Sequence, residues 1–456
     1  MKVVVAHSGP RDGYQVALAL SEADLLDGLI TDLYWPHDHP GAQLLEGMAS
    51  ERGAAALRFR NNPELASQHV TCCAFSGLSA LLMRKLGAPF WCKRKAIRWS
   101  DAQIGRRAGR RAARRRAALL SYSYYGYHAF SAAPVNTPKI LFQLHPHPLS
   151  VRAILSRELA VNPECSASVL QEWELALPER DFNNLMEETR MAQHWIVASS
   201  FSRNTLVEHE VPPEGIHVVP YGIDLTRFVA PCQRRADSSR PLKLLFVGTI
   251  NQRKGIGYLL DAMDLLEPGS VELVVCGRVV DDLTIFRRHR AKVQIKSSVS
   301  EAELSQAYRN ADLFVLPSLA EGFGHVLLEA MASGLPVIST TRTAAHDLIE
   351  PGVEGYVIEP GKADVLSQCI RWCVEHRGQL VEMGRAARRK AELFTWPRFR
   401  WRIASIVREI LEEAESKPNA RNDCGVSTAK RVGSPLRRQH ARGAEDQVPR
   451  ASGVAH

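Results

Sequence analysis

The same local pattern occurs near the start of each half of the chain: a short, mostly apolar strand, a glycine-containing turn and a helix with apolar residues at helical spacing. The first copy runs over residues 1–29, with the strand "KVVVAH", the turn "SGPRDGY" and the helix "QVALALSEADLL". The second runs over residues 243–263, with "KLLFVG", "TINQRKG" and "IGYLLDAMDLL". A unit of this kind opens a parallel, doubly wound sheet, so each half is predicted to form its own α/β domain.

Strands and helices continue to alternate along the second half, which predicts a buried parallel sheet. The predicted strands there are "VELVVCG", "ADLFVLPS", "LPVIST" and "GYVIEP". The first half alternates less clearly, with strands in "KILFQLHPHP", "HWIVASS" and "IHVVPYG". The polar, proline-bearing segment "VAPCQRRADSSRP" is the best candidate for a linker. Ligands of such sheets bind at the carboxyl ends of the strands, so the cleft between the domains is the expected site.

The composition is that of a globular protein without a membrane-spanning segment. Of the 456 residues, 45% are apolar and 23% are charged, and no apolar run reaches the length of about 18 residues that a spanning helix needs. The first residues do not have the pattern of a signal peptide, so we expect a cytoplasmic protein. The nine cysteines form no paired CxxC motif, and we interpret them as reduced thiols.

The net charge of +9 is concentrated in two segments. The segment "GRRAGRRAARRRAA" (105–118) has the composition of a helix, and its cations are expected to cover most of the helix surface. Arg106–Arg116 could be a solvated surface, a contact with an anionic membrane, or a site that captures an anionic substrate. Residues 416–456 are polar, basic and aperiodic, which predicts a disordered tail.

The segment "EGFGHVLLEAM" places two glycines directly before a predicted helix, with Glu321 in the loop and Glu329 in the first turn or two of the helix. A helix N-terminus preceded by glycines is a site for an anion such as phosphate. A carboxylate there can accept two hydrogen bonds from a vicinal diol, and a diol beside a phosphate indicates a nucleotide ribose. The alternatives are a glutamate that only stabilises the helix start and a plain tight turn.

A second motif supports the binding of an anion. Arg253 and Lys254 end the turn "GTINQRKG" at the exit of a strand, where two cations would neutralise a diphosphate. Cations at a helix start are mildly unfavourable with the helix dipole, which favours a bound anion over a solvated pair.

Together these segments resemble the retaining glycosyltransferase family 4, the glycosyl transferases group 1. The resemblance is carried by "FVGTINQRKGIGYLL" and "ADLFVLPSLAEGFGHVLLEAMASGLPVIST", and it is strong over about 195–395. It implies a GT-B fold, in which two Rossmann-like domains enclose a nucleotide sugar in their cleft. The expected domains are an acceptor domain (1–228), a linker (229–241), a donor-nucleotide domain (242–393) and helices that cross back to the first domain (394–415).

The resemblance also implies roles for individual residues. Glu329 would hold the ribose hydroxyls, Glu321 and the amides of Phe323 and Gly324 would meet the donor sugar, and Arg253 and Lys254 would bind the diphosphate. The backbone at Gly13 would approach the same diphosphate. No metal and no cofactor are implied. Many family members carry arginine directly after the glycine of the "VG" sequence that opens the turn "GTINQRKG". This chain has Thr249 at that position, and Arg253 is expected to supply the second cation.

The implied reaction is the transfer of a hexose with retention of anomeric configuration. Lys254, Arg253 and the helix dipole would stabilise the leaving diphosphate, and its oxygen would take the proton of the acceptor. His145 in "QLHPHP" is the candidate for contacting the sugar or acceptor on the first domain, and a purely structural His145 is the alternative. His145 and His147 could instead bind a metal, but no third ligand stands at a recognisable spacing.

Three other functions compete with this interpretation. A phosphorylase of this fold would need a pyridoxal lysine, for which no motif is present. A catalytically inactive module could keep the fold to bind a sugar nucleotide. A nucleic-acid-binding protein would use the basic segments, but no recognition-helix or stacking-aromatic motif accompanies them, and no nucleic acid is expected as a partner. The acceptor, whether a glycan, a lipid-linked sugar or a small molecule, is not encoded in a recognisable motif.

Overall fold

The computed structural model describes residues 1–35, 59–73, 90–231, 237–280, 289, 293–297 and 299–416. The first half of the chain forms a seven-stranded parallel sheet in the order β3-β2-β1-β4-β5-β6-β7. Its strands are β1 (Val3–Ala6), β2 (Leu26–Thr31), β3 (Val70–Cys72), β4 (Ala118–Tyr122), β5 (Lys139–Gln143), β6 (His194–Val197) and β7 (Ile216–Val218).

The second half forms a six-stranded parallel sheet in the order β10-β9-β8-β11-β12-β13. Its strands are β8 (Leu242–Val247), β9 (Val271–Cys276), β10 (Val293–Lys296), β11 (Leu313–Leu316), β12 (Val337–Thr340) and β13 (Gly355–Ile358). The strand order reverses between β1 and β4 in one sheet and between β8 and β11 in the other. These reversals are the switch points at which doubly wound sheets bind ligands. The prediction of two Rossmann-like α/β domains is therefore confirmed.

Helices connect the strands of each sheet. In the first domain they are α1 (Gln15–Glu22), α2 (Phe90–Arg115), α3 (Gly126–Ala132), α4 (Pro148–Val161), α5 (Ser166–Val169), α6 (Trp173–Ala176), α7 (Glu179–Met191) and α8 (Ser200–Val207). From the second domain onward they are α9 (Ile256–Asp264), α10 (Glu301–Asn310), α11 (His325–Ala332), α12 (Ala345–Leu348), α13 (Ala363–Glu375), α14 (Arg377–Ala391) and α15 (Trp396–Ser416).

The central strands are buried on both faces, which explains their continuous apolar sequence. Every residue of β1 is fully buried, and so are Leu244–Phe246 in β8 and all but one residue of β11. Such runs lack the alternation of a strand with one face in water. They are recognisable as strands because they are short and are followed within a few residues by glycine or proline.

Several elements of the first domain differ from the sequence-based prediction. The helix predicted over "QVALALSEADLL" ends at Glu22, and Leu26 already begins β2. The arginine-rich helix ends at Arg115, and the end of the predicted helical segment, from Ala118, belongs to β4. In both places a helix and the next strand meet with few polar residues between them, so apolar periodicity alone did not locate the boundary.

The prediction that cations cover most of the arginine-rich helix is wrong. One side of α2 packs closely on α3, where a β-carbon at Gly105 or Gly109 would overlap the backbone of Ala129. Ile104, Ala108 and Ala112 are buried on this side as well. The arginines are confined to the remaining surface because the small residues recur at helical spacing and admit the neighbouring backbone.

Helix α15 follows the second domain in the sequence and packs against the first domain. The amino terminus of Met1 lies 2.6 Å from Glu415, and Arg400 pairs with Glu22 of α1 at 2.9 Å. The exact domain limits given above stay predictions. Residues 232–236 of the proposed linker and the basic tail beyond Ser416 lie outside the described residues. No helix in the described part of the chain is both long enough and apolar enough to cross a membrane.

Candidate functional site

The loop that joins β11 to α11 lies directly against the first domain. A β-carbon at Gly322 would overlap the carbonyl oxygen of Leu144, at the end of β5. The carbonyl oxygen of Gly322 accepts hydrogen bonds from the hydroxyls of Ser199 at 2.5 Å and Ser202 at 3.1 Å. Only glycine permits this close approach, so Gly322 fixes the loop of one domain at the strand ends of the other.

Glu321 and Lys254 meet at this junction although they follow different strands. Lys254 Nζ lies 2.6 Å from Glu321 Oε1, and Arg253 Nη2 lies 3.7 Å from the same oxygen. Burial opposes ionisation of the Glu321 carboxyl, but the charges of Lys254 and Arg253 outweigh it and lower its pKa. The site therefore holds a carboxylate and two cations in a largely buried position.

The turn that carries Lys254 has a specific local geometry. The Asn251 side chain caps it by accepting a hydrogen bond from the amide of Lys254 at 3.1 Å. Gly255 ends it with φ of +74°, and a β-carbon there would overlap the carbonyl oxygen of Pro317. Glycine is required for both reasons, and the contact places the turn beside the end of β11.

Arg253 has a partner that the sequence did not reveal. Its Nε lies 3.2 Å from Oε2 of Glu172, which belongs to the first domain, and Asn251 Nδ2 donates to Oε1 of the same carboxylate at 2.6 Å. Burial raises the pKa of Glu172, and the charge of Arg253 acts in the opposite direction. In this structure a carboxylate thus occupies one side of the cation predicted to bind the diphosphate.

His145 lies beside the same cluster, just past the end of β5. Burial lowers its pKa to about 4, so the imidazole is neutral at pH 7. The charges of Glu174, Arg253 and Glu321 all act on it. A neutral histidine can donate and accept hydrogen bonds, which suits contacts with hydroxyl groups.

His147 does not share this position, although it is only two residues away. It is 2% exposed, and its ring stacks on His209 with centroids 4.1 Å apart. Within the described ranges, no three His, Cys, Asp or Glu side chains are grouped so that they could hold a metal ion.

Glu329 lies in the second turn of α11. The hydroxyl of Tyr308, on α10, donates a hydrogen bond to Glu329 Oε2 at 2.8 Å. Burial raises the pKa of the Glu329 carboxyl, and the bond from Tyr308 opposes that rise. Tyr308 orients the carboxylate through Oε2, and among the described residues Oε1 has no hydrogen-bond partner.

Phe323 and Gly324 form the start of α11. Gly324 has φ of +82° at the position before the helix, a conformation that glycine adopts without strain. The Phe323 ring packs edge-on against Tyr221 with centroids 5.4 Å apart. The amides of Phe323 and Gly324 make no hydrogen bond within the described part of the chain. Amides at a helix start that lack a partner in this way can donate hydrogen bonds to a ligand.

Gly13 lies in the turn between β1 and α1, at the switch point of the first sheet. Its φ is +63°, and its carbonyl oxygen accepts a hydrogen bond from Asn62 at 2.9 Å. The structure thus brings together Glu321, Lys254, Arg253 and His145. Among the described contacts, Gly13 and Glu329 do not touch this cluster but lie at the ligand-binding edges of their own sheets.

Known proteins are similar to this chain in the sequence of the second domain and in the fold of about nine tenths of its length. Residues 233–390 match the family model described as glycosyl transferases group 1. Residues 233–390 belong to this family. D-inositol 3-phosphate glycosyltransferase of Mycobacterium tuberculosis strain H37Rv is 29% identical over 257 residues, which cover 51% of this chain and 52% of that protein. The chain therefore spans about half the length of this curated relative.

Solved structures extend the similarity to the first domain. Sucrose-phosphate synthase from Thermosynechococcus elongatus matches 91% of this chain and 100% of its own, with a TM-score of 0.63 and 18% identity. Anabaena HepE in complex with UDP-glucose matches 90% of this chain and 100% of its own, with a TM-score of 0.55 and 17% identity. These structures share the fold of this chain, with two Rossmann-like domains of the GT-B type, as the resemblance implied.

Proposed function

We propose that the protein is a glycosyltransferase that moves a hexose from a nucleoside diphosphate sugar to an acceptor hydroxyl, with retention of configuration and without a metal ion. The observation that carries this proposal is the Lys254–Glu321 pair, 2.6 Å apart at the strand ends of the second domain and beside His145 of the first. A cation, a carboxylate and a neutral imidazole from two domains converge where a GT-B enzyme would place its donor sugar. The solved relative HepE was crystallised with UDP and with UDP-glucose, which supports a nucleotide sugar as donor.

Each group has a distinct task in the proposed reaction. Lys254 and the amino end of α11 stabilise the negative charge that develops on the leaving diphosphate. Arg253 contributes to this stabilisation once its ion pair with Glu172 is broken. Glu329 accepts hydrogen bonds from the ribose hydroxyls. Glu321 and the amides of Phe323 and Gly324 bind the hydroxyls of the donor sugar, and Lys254 keeps the Glu321 carboxyl ionised for that purpose.

The acceptor reacts on the face from which the diphosphate leaves. The bond from the anomeric carbon to the phosphate oxygen breaks, the bond to the acceptor oxygen forms, and the acceptor proton passes to the departing phosphate oxygen. The positive charge that a metal would supply comes from Lys254 and Arg253. EDTA is therefore expected to leave the transfer rate unchanged, and loss of activity that Mg²⁺ or Mn²⁺ restores would contradict this part of the proposal.

Donor binding can be tested before the acceptor is known. Thermal unfolding is measured with UDP-, GDP-, ADP- and dTDP-sugars for the wild type, Glu329→Ala and the control Glu382→Ala, which removes an exposed glutamate of α14. A ligand at about 100 times its dissociation constant stabilises the folded protein by about 2.7 kcal/mol. We expect one nucleotide class to raise the Tm of the wild type and the control but not of Glu329→Ala. No shift with any nucleotide sugar would contradict the proposed function.

We also propose a peripheral position on the cytoplasmic face of a membrane. On α2 the side chains of Arg106, Arg107, Arg110, Arg114 and Arg115 are exposed, and together with Arg116 they form one basic surface opposite the buried small residues. Anionic lipid head groups attract such a surface by about 1 kcal/mol per basic residue. The packing of α2 keeps these charges on one side, as docking on a plane requires.

Cosedimentation with vesicles containing anionic lipid tests this position. We expect the wild type to sediment, and a variant with Arg114, Arg115 and Arg116 changed to alanine to remain in the supernatant. A matched control changes three exposed arginines elsewhere, Arg190, Arg309 and Arg385. Equal sedimentation of both variants would contradict membrane docking through α2.

A further inference from the structure

The first domain contains a cavity of about 200 Å³ whose lining includes His145. Its walls come from α2, the connection from β4 to α3, and helices α6 and α7. Its lining also includes the rings of Tyr124 and Trp173 and the polar side chains of Asp101, His128 and Asn184. Because His145 also lies beside the Glu321–Lys254 pair, the cavity adjoins the proposed donor site.

Tyr124, a wall of the cavity, is held in an unusual backbone conformation. Its φ is +78°, in the left-handed region that non-glycine residues rarely adopt. The Glu188 carboxyl, which is 1% exposed, accepts hydrogen bonds from the amides of Tyr124 at 2.7 Å and Tyr127 at 3.1 Å. A buried acid thus holds the strained turn, and strain maintained in this way is typical of functional sites.

The side chain of Tyr124 is fixed as firmly as its backbone. Its hydroxyl donates to Oε1 of the buried Glu174 at 2.8 Å. Its ring lies edge-on to Trp173, with centroids 6.3 Å apart. The Arg94 guanidinium covers one face of the Trp173 ring at 4.6 Å and donates to the carbonyl oxygens of Gln171 and Ala176. Two aromatic rings at the cavity are therefore preorganised.

The polar lining consists of groups suited to hydroxyls. In the parts of the chain that the structure describes, the side chains of Asp101, His128 and Asn184 make no hydrogen bond. Of the two cations of the lining, Arg98 pairs with Asp181, and Arg11 donates a hydrogen bond to the hydroxyl of Tyr125. An alkyl chain would leave several of these polar groups unpaired, whereas the hydroxyls of a sugar ring could form hydrogen bonds with them.

We propose that this cavity binds the terminal ring of a neutral saccharide and is the acceptor subsite of the enzyme. The inference rests on the proposed function and narrows its acceptor to a glycan. A hexose ring offers apolar C–H faces to Tyr124 and Trp173 and hydroxyls to Asp101, His128 and Asn184. A hydroxyl of that ring would point past His145 toward the donor.

Saturation-transfer NMR tests the ligand class directly. The probes are a panel of methyl hexosides and N-acetylhexosaminides, glucose 6-phosphate, and decanol, each added to the protein saturated with UDP. We expect at least one methyl glycoside to give a saturation-transfer signal, and the signal to fall at least tenfold in Trp173→Leu and in Tyr124→Leu. The matched control is Trp401→Leu, which replaces a tryptophan that is 65% exposed on α15, away from the cavity.

The outcomes separate this inference from the proposed function. Thermal stabilisation by UDP in all variants shows that they fold and that the donor site is intact, so loss of the glycoside signal in the two cavity variants supports the saccharide subsite. Three results would overturn it: no glycoside signal, signals only from the phosphorylated sugar or decanol, or a glycoside signal unchanged in both cavity variants. Absence of binding by UDP and by GDP, ADP and dTDP would instead contradict the proposed function, whatever the glycosides do.

Discussion

Glu172 of the first domain and Arg253 of the second are paired across the cleft, with Oε2 and Nε 3.2 Å apart. The neighbouring residues of the same turn also have partners in the first domain. Asn251 donates to Glu172, and Gln252 donates to Glu158 at 2.7 Å. The turn predicted to bind the diphosphate is thus held by carboxylates of the opposite domain, and a diphosphate must compete with Glu172 for Arg253.

Replacing Glu172 by glutamine should therefore tighten the binding of a nucleoside diphosphate. Glutamine can keep the bond to Asn251 but removes the negative charge that competes with the ligand, so we expect UDP to bind about three- to tenfold more tightly. Isothermal titration of UDP into the wild type and Glu172→Gln gives the comparison. Glu158→Gln is the control, because Glu158 contacts the same turn without pairing with a cation. Weaker binding in Glu172→Gln would show that Glu172 supports Arg253 in its binding position instead.

Replacing Lys254 by methionine should remove most of the transfer activity. The substitution keeps most of the length of the side chain but eliminates the cation that lies 2.6 Å from Glu321 and that we propose stabilises the leaving group. Loss of one such electrostatic group costs about 100- to 1,000-fold in kcat. Steady-state kinetics with the donor identified by thermal shift measures the effect. Lys362→Met, at an exposed lysine before α13, is the control, and a kcat within threefold of wild type in Lys254→Met would contradict the assigned role.

Replacing Tyr308 by phenylalanine should weaken donor binding more than it slows the reaction. The change removes the hydroxyl that donates to Glu329 at 2.8 Å, so the proposed contact of Glu329 with the ribose becomes less well placed. We expect KM for the donor to rise about three- to tenfold with little change in kcat, and stability to fall by about 1 kcal/mol. Tyr356→Phe is the matched control on β13. A kcat decrease with unchanged KM would place Tyr308 in the chemical step rather than in ribose binding.

Replacing His147 by phenylalanine should make stability less sensitive to acid. Burial lowers the pKa of His147 to about 3, below the value of about 6.5 expected in the unfolded chain. The unfolded state therefore binds the proton first, and the stability associated with neutral His147 is present above about pH 6.5 and is lost as the pH falls toward 3.

The expected difference is large enough to measure. Between pH 6.5 and 5 the wild type should lose about 2 kcal/mol more than His147→Phe. Urea unfolding at several pH values tests this, with His346→Phe on α12 as the control. Parallel pH profiles for the wild type and His147→Phe would show that His147 is not held neutral by the fold.

The strands and the glycine turns before α9 and α11 followed from the sequence because each depends on neighbouring residues, and the GT-B fold followed from the family resemblance that these segments carry. The strand, turn and helix around Lys254 occupy about twenty residues, and so do those around Glu321 and Glu329. Apolar runs, glycine positions and helix starts are encoded within such lengths. The first domain was harder to predict. The many arginines of α2 suggested a helix that is charged over most of its surface, although small residues on its other side are buried.

Only the tertiary structure decided which distant side chains meet. Glu172 and Arg253 are 81 positions apart in the chain, and Glu188 reaches back 64 positions to the amide of Tyr124. In the sequence Gly322 is identifiable only as part of a glycine-containing loop before a helix. In the structure its missing side chain allows the carbonyl oxygen of Leu144, in the other domain, to lie against it. Such pairings depend on how two sheets pack and how their loops face each other, and no local pattern of residues records that geometry. The sequence by itself thus determined the strand-turn-helix units whose ends are expected to bind ligands. The packing of the two domains decided which side chains meet in the cleft.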